Sequence, residues 1–327
     1  MRAVEMLRGM LFGVCTASAG MTGIVQAQTD FPTRPMRLIN PYSPGGSVDV
    51  VSRALAQGIT EAWHMQVIVD NRPGAGTTIG TEIVSRAEPD GYTMLVNSSA
   101  IAIMPTMYSK LSFSTTNDLT AVNLLTSSCQ VLVVHPAVPV KTVKELIALS
   151  KSQPGKISGA SSGVGSTNHL TLEMFKSMTG ADILHVPYKG GGPALIDVIS
   201  GQVKVFFNAA STILPHVTAG RVRGIAVTSA KRQEQFPDLP TVAEAGVPGF
   251  ESVSWYGLYG PKNLPKHLVQ RWNEASTRYL HDPKTIEFFR RYTMTTGGVS
   301  PAEFEAYHKN ETDRWGKVMK SAGVKSL

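Results

Sequence analysis

Strand-like and helix-like stretches alternate along most of this chain, and that order points to parallel sheets with helices packed on both faces. Met36–Asn40 reads as a strand and runs into the tight loop Pro41–Gly46. A helix follows, with Val50, Val51, Ala54, Leu55 and Ile59 on its apolar face. Val67–Asp70 is the next strand. A loop holding Pro73, Gly74 and Gly76 leads to a helix over about Thr78–Ala87, Pro89-Asp90-Gly91 is a turn, and Tyr92–Val96 is a third strand.

The middle of the chain repeats the rhythm. Gln130–Val134 reads as a buried strand, Thr142-Val143-Lys144-Glu145 as a capping box opening a helix, and Ile157–Ala160 as a short strand. Gly163–Ser166 is a loop before a helix over Asn168–Met178. Ile183–Val186, Val203–Phe207 and Gly224–Val227 are strands, and Pro193–Ile199 is a helix. Thr241-Val242-Ala243-Glu244 is a further capping box. After the strand-like Ser254–Tyr259 the chain is mostly helical, and Ser300-Pro301-Ala302-Glu303 opens a last helix with Pro at its first position.

Two such units followed by helices predict two α/β lobes with parallel-rich sheets, the C-terminus returning to the first. The expected boundaries are 28–127 with 250–327 for one lobe and 128–249 for the other. At 327 residues the chain has ample length for this, and 42% hydrophobic against 17% charged is the balance of a globular protein.

The first segment reads as a cleavable leader, 1–27. Arg2 and Arg8 precede the uncharged, apolar Met10–Val25, and Val25 and Ala27 are small residues suited to a cut after Ala27. Setting Arg2, Arg8 and Glu5 aside leaves the excess one charge below the full chain's +7, a mild bias that suits capture of anions. The basic residues are scattered, with no run and no aromatic interleaving, so nucleic acid is not an expected partner. Cys129 is the one cysteine beyond the leader, in an apolar stretch that makes it a small core residue; no disulfide forms within the mature chain. The eight histidines fall singly, without metal-ligand spacing, and neither a metal nor a cofactor is expected.

Two loops carry the chemistry. In Pro41-Tyr42-Ser43-Pro44-Gly45-Gly46-Ser47-Val48-Asp49, glycines at a strand-to-helix turn let backbone N–H groups and a helix N-terminus face a crevice, an anion site without side-chain charge. Asp49 suits a cap on the first turn. Ser161-Ser162-Gly163-Val164-Gly165-Ser166-Thr167-Asn168-His169 has the same strand-to-helix setting in the other half, rich in hydroxyls and glycines; His169 either donates to a ligand or ties loop to helix. Gly159–Gly163 also fits G-x-S-x-G, the nucleophile elbow of hydrolases, with Ser161 as the serine. Asp197 or Asp238 and His267 or His281 are its formal partners, but no His-Gly-Gly oxyanion motif precedes it. Gly74-Ala75-Gly76 to Gly80 has the wrong spacing for a dinucleotide fingerprint. Trp255 and Tyr256 lie where the chain recrosses between lobes, as pocket wall or hinge packing.

Eight motifs in order then resemble the substrate-binding proteins of tripartite tricarboxylate transporters, the Bug proteins. They are Phe31-Pro32-Thr33-Arg34-Pro35, the 41–49 loop, Asn71–Gly76, Pro89–Thr93, Gly163–Ser166 with His169-Leu170, Val186–Gly190, Pro240–Gly246 and Trp255-Tyr256-Gly257. The resemblance implies a Venus-flytrap, periplasmic-binding-protein fold that closes on a small organic carboxylate, a di- or tricarboxylate or an aromatic acid. It also implies a periplasmic location and delivery to a membrane permease of one large and one small subunit. No enzymatic step is expected, and a monomer is the default. A periplasmic sensor subunit for the same ligands is the alternative binding role. The candidate ligand residues are Tyr42, Ser43, Gly45, Gly46, Ser47 and Asp49; Ser98 beyond the third strand; Ser161, Ser162, Gly163, Gly165, Ser166, Thr167 and His169; and Tyr188 and Asn208 at later strand ends. The sequence departs from the family pattern at Val48, Asn168, Thr77, where a glycine is usual, and Asn208, where Asp is frequent. A neutral amide at 208 offers less to an amino group, so the expected ligand lacks a free amine.

Overall fold

A computed structural model describes residues 31–188, 190–321, 323, 324 and 326; the leader expected at 1–27 lies outside them. In the first unit, β1 (Met36–Asn40), α1 (Ser47–Trp63), β2 (Val67–Asn71), α2 (Thr78–Ser85) and β3 (Thr93–Ser98) follow one another, and β1 pairs in parallel with both β2 and β3. Met36, Leu38 and Ile39 are fully buried, and Val51, Leu55 and Ile59 set the inner face of α1. α3 (Ala100–Met107) leaves β3 directly. The reading above found no element there, because Ile101, Ala102, Ile103, Met104 and Met107 are buried on all sides and leave no amphipathic period.

β4 (Leu119–Val134) is sixteen residues long, far beyond the five expected. Its first part pairs with β9 (Val253–Pro261) and β10 (Met294–Thr296), and its last five residues pair with β7 (Val205–Ala209) and β8 (Arg223–Val227). One ten-stranded sheet thus runs β2-β1-β3-β9-β4-β7, continues to β5 (Ser158–Ser161) and β6 (Leu184–Pro187), and hands over between partners at Cys129 and Gln130. Cys129 is buried and free. In the second unit α4 (Val143–Ser152), α5 (Thr167–Thr179), α6 (Gly191–Ile199) and α7 (Ala210–Thr218) cover the sheet. Both faces are buried there. Leu132, Val134 and Phe207 pack into one core with Phe175 and Phe250, while Val131, Val133 and Phe206 pack into another with Ala194 and Ile213. A strand buried on both faces reads as a continuous apolar run, which is why Gln130–Val134 was legible.

Two expectations are corrected. The Thr241–Glu244 box forms, with Glu244 N–H donating to Thr241 Oγ1 at 3.0 Å and Thr241 N–H to the Glu244 carboxylate at 3.1 Å, but it closes a turn and no helix follows. Val247, Pro248 and Gly249 end it before an apolar face builds up. Asn208 lies inside β7, opposite Val131, and not beyond the strand.

α8 (Lys266–Leu280), α9 (Pro283–Arg291) and α10 (Pro301–Ser321) complete the chain. The Ser300–Glu303 box opens α10 as expected. α10 packs on α3, α5 and β4. Its Glu311, 5% exposed, accepts from the indoles of Trp255 and Trp315, each at 3.1 Å, and pairs with Arg314 at 3.1 Å. Trp255 is thereby core packing. No helix among the described residues is long and apolar enough to cross a membrane.

Candidate functional site

The carboxyl ends of β1, β2, β3 and β5 open onto one cavity of about 420 Å³ between the lobes. Strand ends in open α/β sheets leave such crevices because the loops part to either side. A larger groove of about 880 Å³ lies between α1 and α8–α9, where Arg53, Glu61, Arg278 and Asp282 mix both charges. No strand end opens onto it, and the α9 N-terminus that it contains is already capped by the Asp282 carboxylate, so the smaller cavity is the better site.

Its first wall is uncharged and rich in hydroxyls. Tyr42 Oη and Ser98 Oγ are 2.5 Å apart, and Ser98 Oγ also accepts from the Ala100 N–H at 3.2 Å. Burial pushes the Tyr42 phenol far above its ordinary value, against the lowering effect of Ser98, so it stays protonated. Tyr256, hydrogen-bonded to Ser47, and Tyr108 are raised by burial as well. Ile103, Met104, Met107 and Tyr108 supply an apolar side from α3 and its end. No Lys or Arg is among the described residues lining the cavity.

Asp49 braces the first loop from behind. Its carboxylate accepts from Asn40 Nδ2 at 3.2 Å, Asn71 Nδ2 at 3.0 Å, the Gly45 N–H at 3.0 Å and Arg53 Nε at 2.8 Å. Burial alone would raise its pKa; the donors outweigh it and hold the carboxyl at about 2. The donor that Gly45 was expected to offer a ligand is spent on this strut. Ser43, Gly45 and Gly46 are exposed, and with Ser47 and Asp49 they stand outside the cavity lining.

The second wall is the β5–α5 loop. Ser166 caps α5, its Oγ accepting from the His169 N–H at 3.3 Å and donating to Gly163 O at 2.7 Å. The N–H groups of Ser162 and Gly165 are engaged by Asn168 Oδ1 at 3.3 Å and His169 Nδ1 at 3.1 Å. The first-turn N–H groups of Thr167 and Asn168, which have no intrahelical acceptor, carry the positive end of the α5 dipole toward the cavity. The lobes touch here: Thr167 Oγ1 is 3.4 Å from Ser99 Oγ, and Met107 seats on Gly165, where an added Cβ would lie 2.1 Å from its Cε.

Beneath the loop, Ser161 is fully buried and its Oγ lies 2.6 Å from His185 Nε2, while the ring of His185 stacks on His169 at 3.9 Å between centroids. Burial lowers both imidazoles to about 4, so they are neutral at pH 7. The formal hydrolase partners are elsewhere: Asp197 accepts from Tyr188 Oη at 2.7 Å, and His281 Nε2 is 3.2 Å from Gly297 O. Of the remaining candidates, Tyr42, Ser98, Ser162, Gly163, Gly165, Ser166 and Thr167 line the cavity; Ser161, His169, Tyr188 and Asn208 support the loop from behind or beside it. Sequence reasoning missed Gly76, Thr77, Ala100, Ile103, Met104, Met107, Tyr108, Val164, Asn168 and Ser254 as cavity residues. The signal available was the apolar run just past the third strand's carboxyl end.

The sequence profile described as "Tripartite tricarboxylate transporter family receptor" matches residues 51–324. Protein BugT of Bordetella pertussis is 33% identical over 317 residues, spanning 96% of this chain and 97% of that protein. Among solved structures, an R. palustris protein with adipate superposes with a TM-score of 0.82 at 33% identity, over 91% of this chain and all of that one. Periplasmic binding protein BugD gives 0.78 at 32%, over 91% of this chain and 100% of its own. MatC from Rhodopseudomonas palustris with bound malate gives 0.75 at 27%, over 88% and 99%. Strand order, inter-lobe cavity, profile and relatives agree, and the chain belongs to the tripartite tricarboxylate transporter receptor family, whose members are periplasmic solute-binding proteins of two-lobed fold.

Proposed function

We propose that this protein captures a small organic carboxylate between its lobes and delivers it to a tripartite tricarboxylate-type permease of one large and one small subunit. The observation that carries this is a cavity walled on one side by neutral hydroxyls and on the other by a helix N-terminus, with no cationic side chain among its described lining residues. Such donors suit a carboxylate. The apolar side from α3 suits an acid with a hydrocarbon body, and relatives are known with adipate and with malate. The ligand stabilises the closed form by binding it more tightly than the open one, and no bond in the ligand is made or broken. In this reading residues 1–27 are a leader cut after Ala27, lobe 1 is 28–127 with 250–327, lobe 2 is 128–249, and the mature protein is a periplasmic monomer.

Asn208 stands behind the β5–α5 loop and not in the cavity lining, and the absence of an amine in the ligand is proposed from its unpaired amide alone. The Ser162 N–H fixes Asn168 Oδ1 as acceptor, so Asn168 Nδ2 donates to Asn208 Oδ1 at 3.2 Å. Asn208 Nδ2 is then left as a buried donor without an acceptor among the described residues, a group that suits an oxygen and repels an ammonium.

The test is a thermal-shift and calorimetric screen of residues 28–327 with adipate, malate, benzoate, aspartate and glutamate. An acid at about a hundred times its Kd stabilises the fold by about 2.7 kcal/mol, a shift of several degrees. Asn208→Asp should move preference toward the amino acids. Absence of a shift with any acid would overturn the proposal.

A further inference from the structure

We infer that Thr77 is a ligand-contacting residue whose hydroxyl donates to the bound acid and so helps set the specificity of the cavity. The inference rests on the carboxylate reading above and deepens it. Thr77 lines the cavity on the same lobe as Tyr42 and Ser98. It is only 6% exposed, and its Oγ1 is buried with no hydrogen-bond partner among the described residues. A buried hydroxyl left unpaired is a destabilising feature that folded chains rarely retain without use.

The backbone gives a second, independent argument. Thr77 holds φ +79°, at the end of a left-handed turn through Gly74 (+134°), Ala75 (+45°) and Gly76 (+60°). A β-branched residue is strained in that region, whereas glycine enters it freely. The loop does not need the side chain. Thr77 donates its N–H to Gly74 O at 2.9 Å and accepts from Thr81 Oγ1 at its carbonyl at 2.8 Å, bonds that glycine would make equally well. Two unfavourable features therefore meet in one residue at the cavity wall, and glycine would remove both. Strain that persists at a binding surface is the mark of a side chain kept for its contact. The partner class follows from the rest of the wall: Tyr42 and Ser98 already form a neutral donor pair, and Thr77 adds a third hydroxyl for a carboxylate oxygen.

Three variants of the mature protein test this by calorimetry with adipate and malate, alongside melting curves without acid. Thr77→Val keeps the shape and removes the hydroxyl; affinity for the acid that binds should fall about three- to tenfold. Thr77→Ser should stay within about twofold of wild type, since it restores the donor. Thr77→Gly should melt higher than wild type without acid yet bind more weakly. Wild-type affinity in Thr77→Val, or a lower melting temperature in Thr77→Gly, overturns the assignment of Thr77 and leaves the carboxylate reading intact. Wild type that binds no acid overturns the carboxylate reading itself, and this inference with it.

Discussion

Replacing Asp49 with Asn tests whether the first loop is held by a buried charge or merely by shape. The Asp49 carboxyl sits at about 2 in the fold, against 3.8 when unperturbed, although burial alone would move it the other way. That gap corresponds to about 2 kcal/mol of stability at neutral pH. A depressed carboxyl contributes fully above its unfolded value and loses its contribution as pH falls through the folded one; about half remains at pH 3. Asn40 is buried and Asn71 half-buried, whereas Gly45 and Arg53 are exposed, so screening weakens the share of the last two. Asp49→Asn should therefore melt about 3–4 °C below wild type at pH 7. Urea titrations of both proteins at pH 7, 4 and 3 should show the difference shrinking toward acid. Equal melting at pH 7, or a difference that does not change down to pH 3, would refute the electrostatic brace.

Gly165→Ala should weaken ligand binding tenfold or more in calorimetry, because the new Cβ meets Met107 Cε at 2.1 Å and φ is +78°; Met107→Ala in the same chain should recover part of the loss, and unchanged affinity would show that the Met107 seat plays no part in closure. His169 and His185 bind protons more readily when unfolded, since burial lowers both from 6.5 to about 4. Their contribution to stability is complete above about pH 6.5 and is lost as pH falls toward 4. Protonation would also turn His169 Nδ1, the acceptor of the Gly165 N–H, into a donor. The double variant His169→Gln, His185→Gln should lose less melting temperature than wild type between pH 7 and 4.5; an equal loss would refute the assignment.

Legibility in the sequence followed physical periodicity. α1 and the five-residue end of β4 could be read because burial is regular along them, and β1 and β2 because each is a short apolar run bounded by turn residues. The front of β4 could not: register shifts at Ala121/Asn123 and Leu124/Thr126 break the two-residue alternation, so Leu119–Cys129 shows no strand pattern. α3 hid for the opposite reason, being apolar on every side. In the site, glycines at strand-to-helix turns marked the two loops. They did not say which donors remain available, because that depends on Asp49, Asn168 and His169 reaching back to Gly45, Ser162 and Gly165. Met107 on Gly165 and Ser99 beside Thr167 join distant residues across the lobes, and no local pattern encodes such contacts.

The pairing of β3 with β9 sets the order in which this chain can fold. Leu95 to Ser98 find their partners only at Tyr256 to Tyr259, and the core around Trp255 closes only when α10 brings Trp315 and Met319. Until the last part of the chain is available, β3 keeps one edge unpaired, and contacts of such long sequence separation form slowly. The last five residues of β4 with β5 to β8, in contrast, draw their partners from a continuous segment and can collapse first. The half of the sheet that holds β1 to β3 therefore stays incomplete until the C-terminal strand and helices have been made.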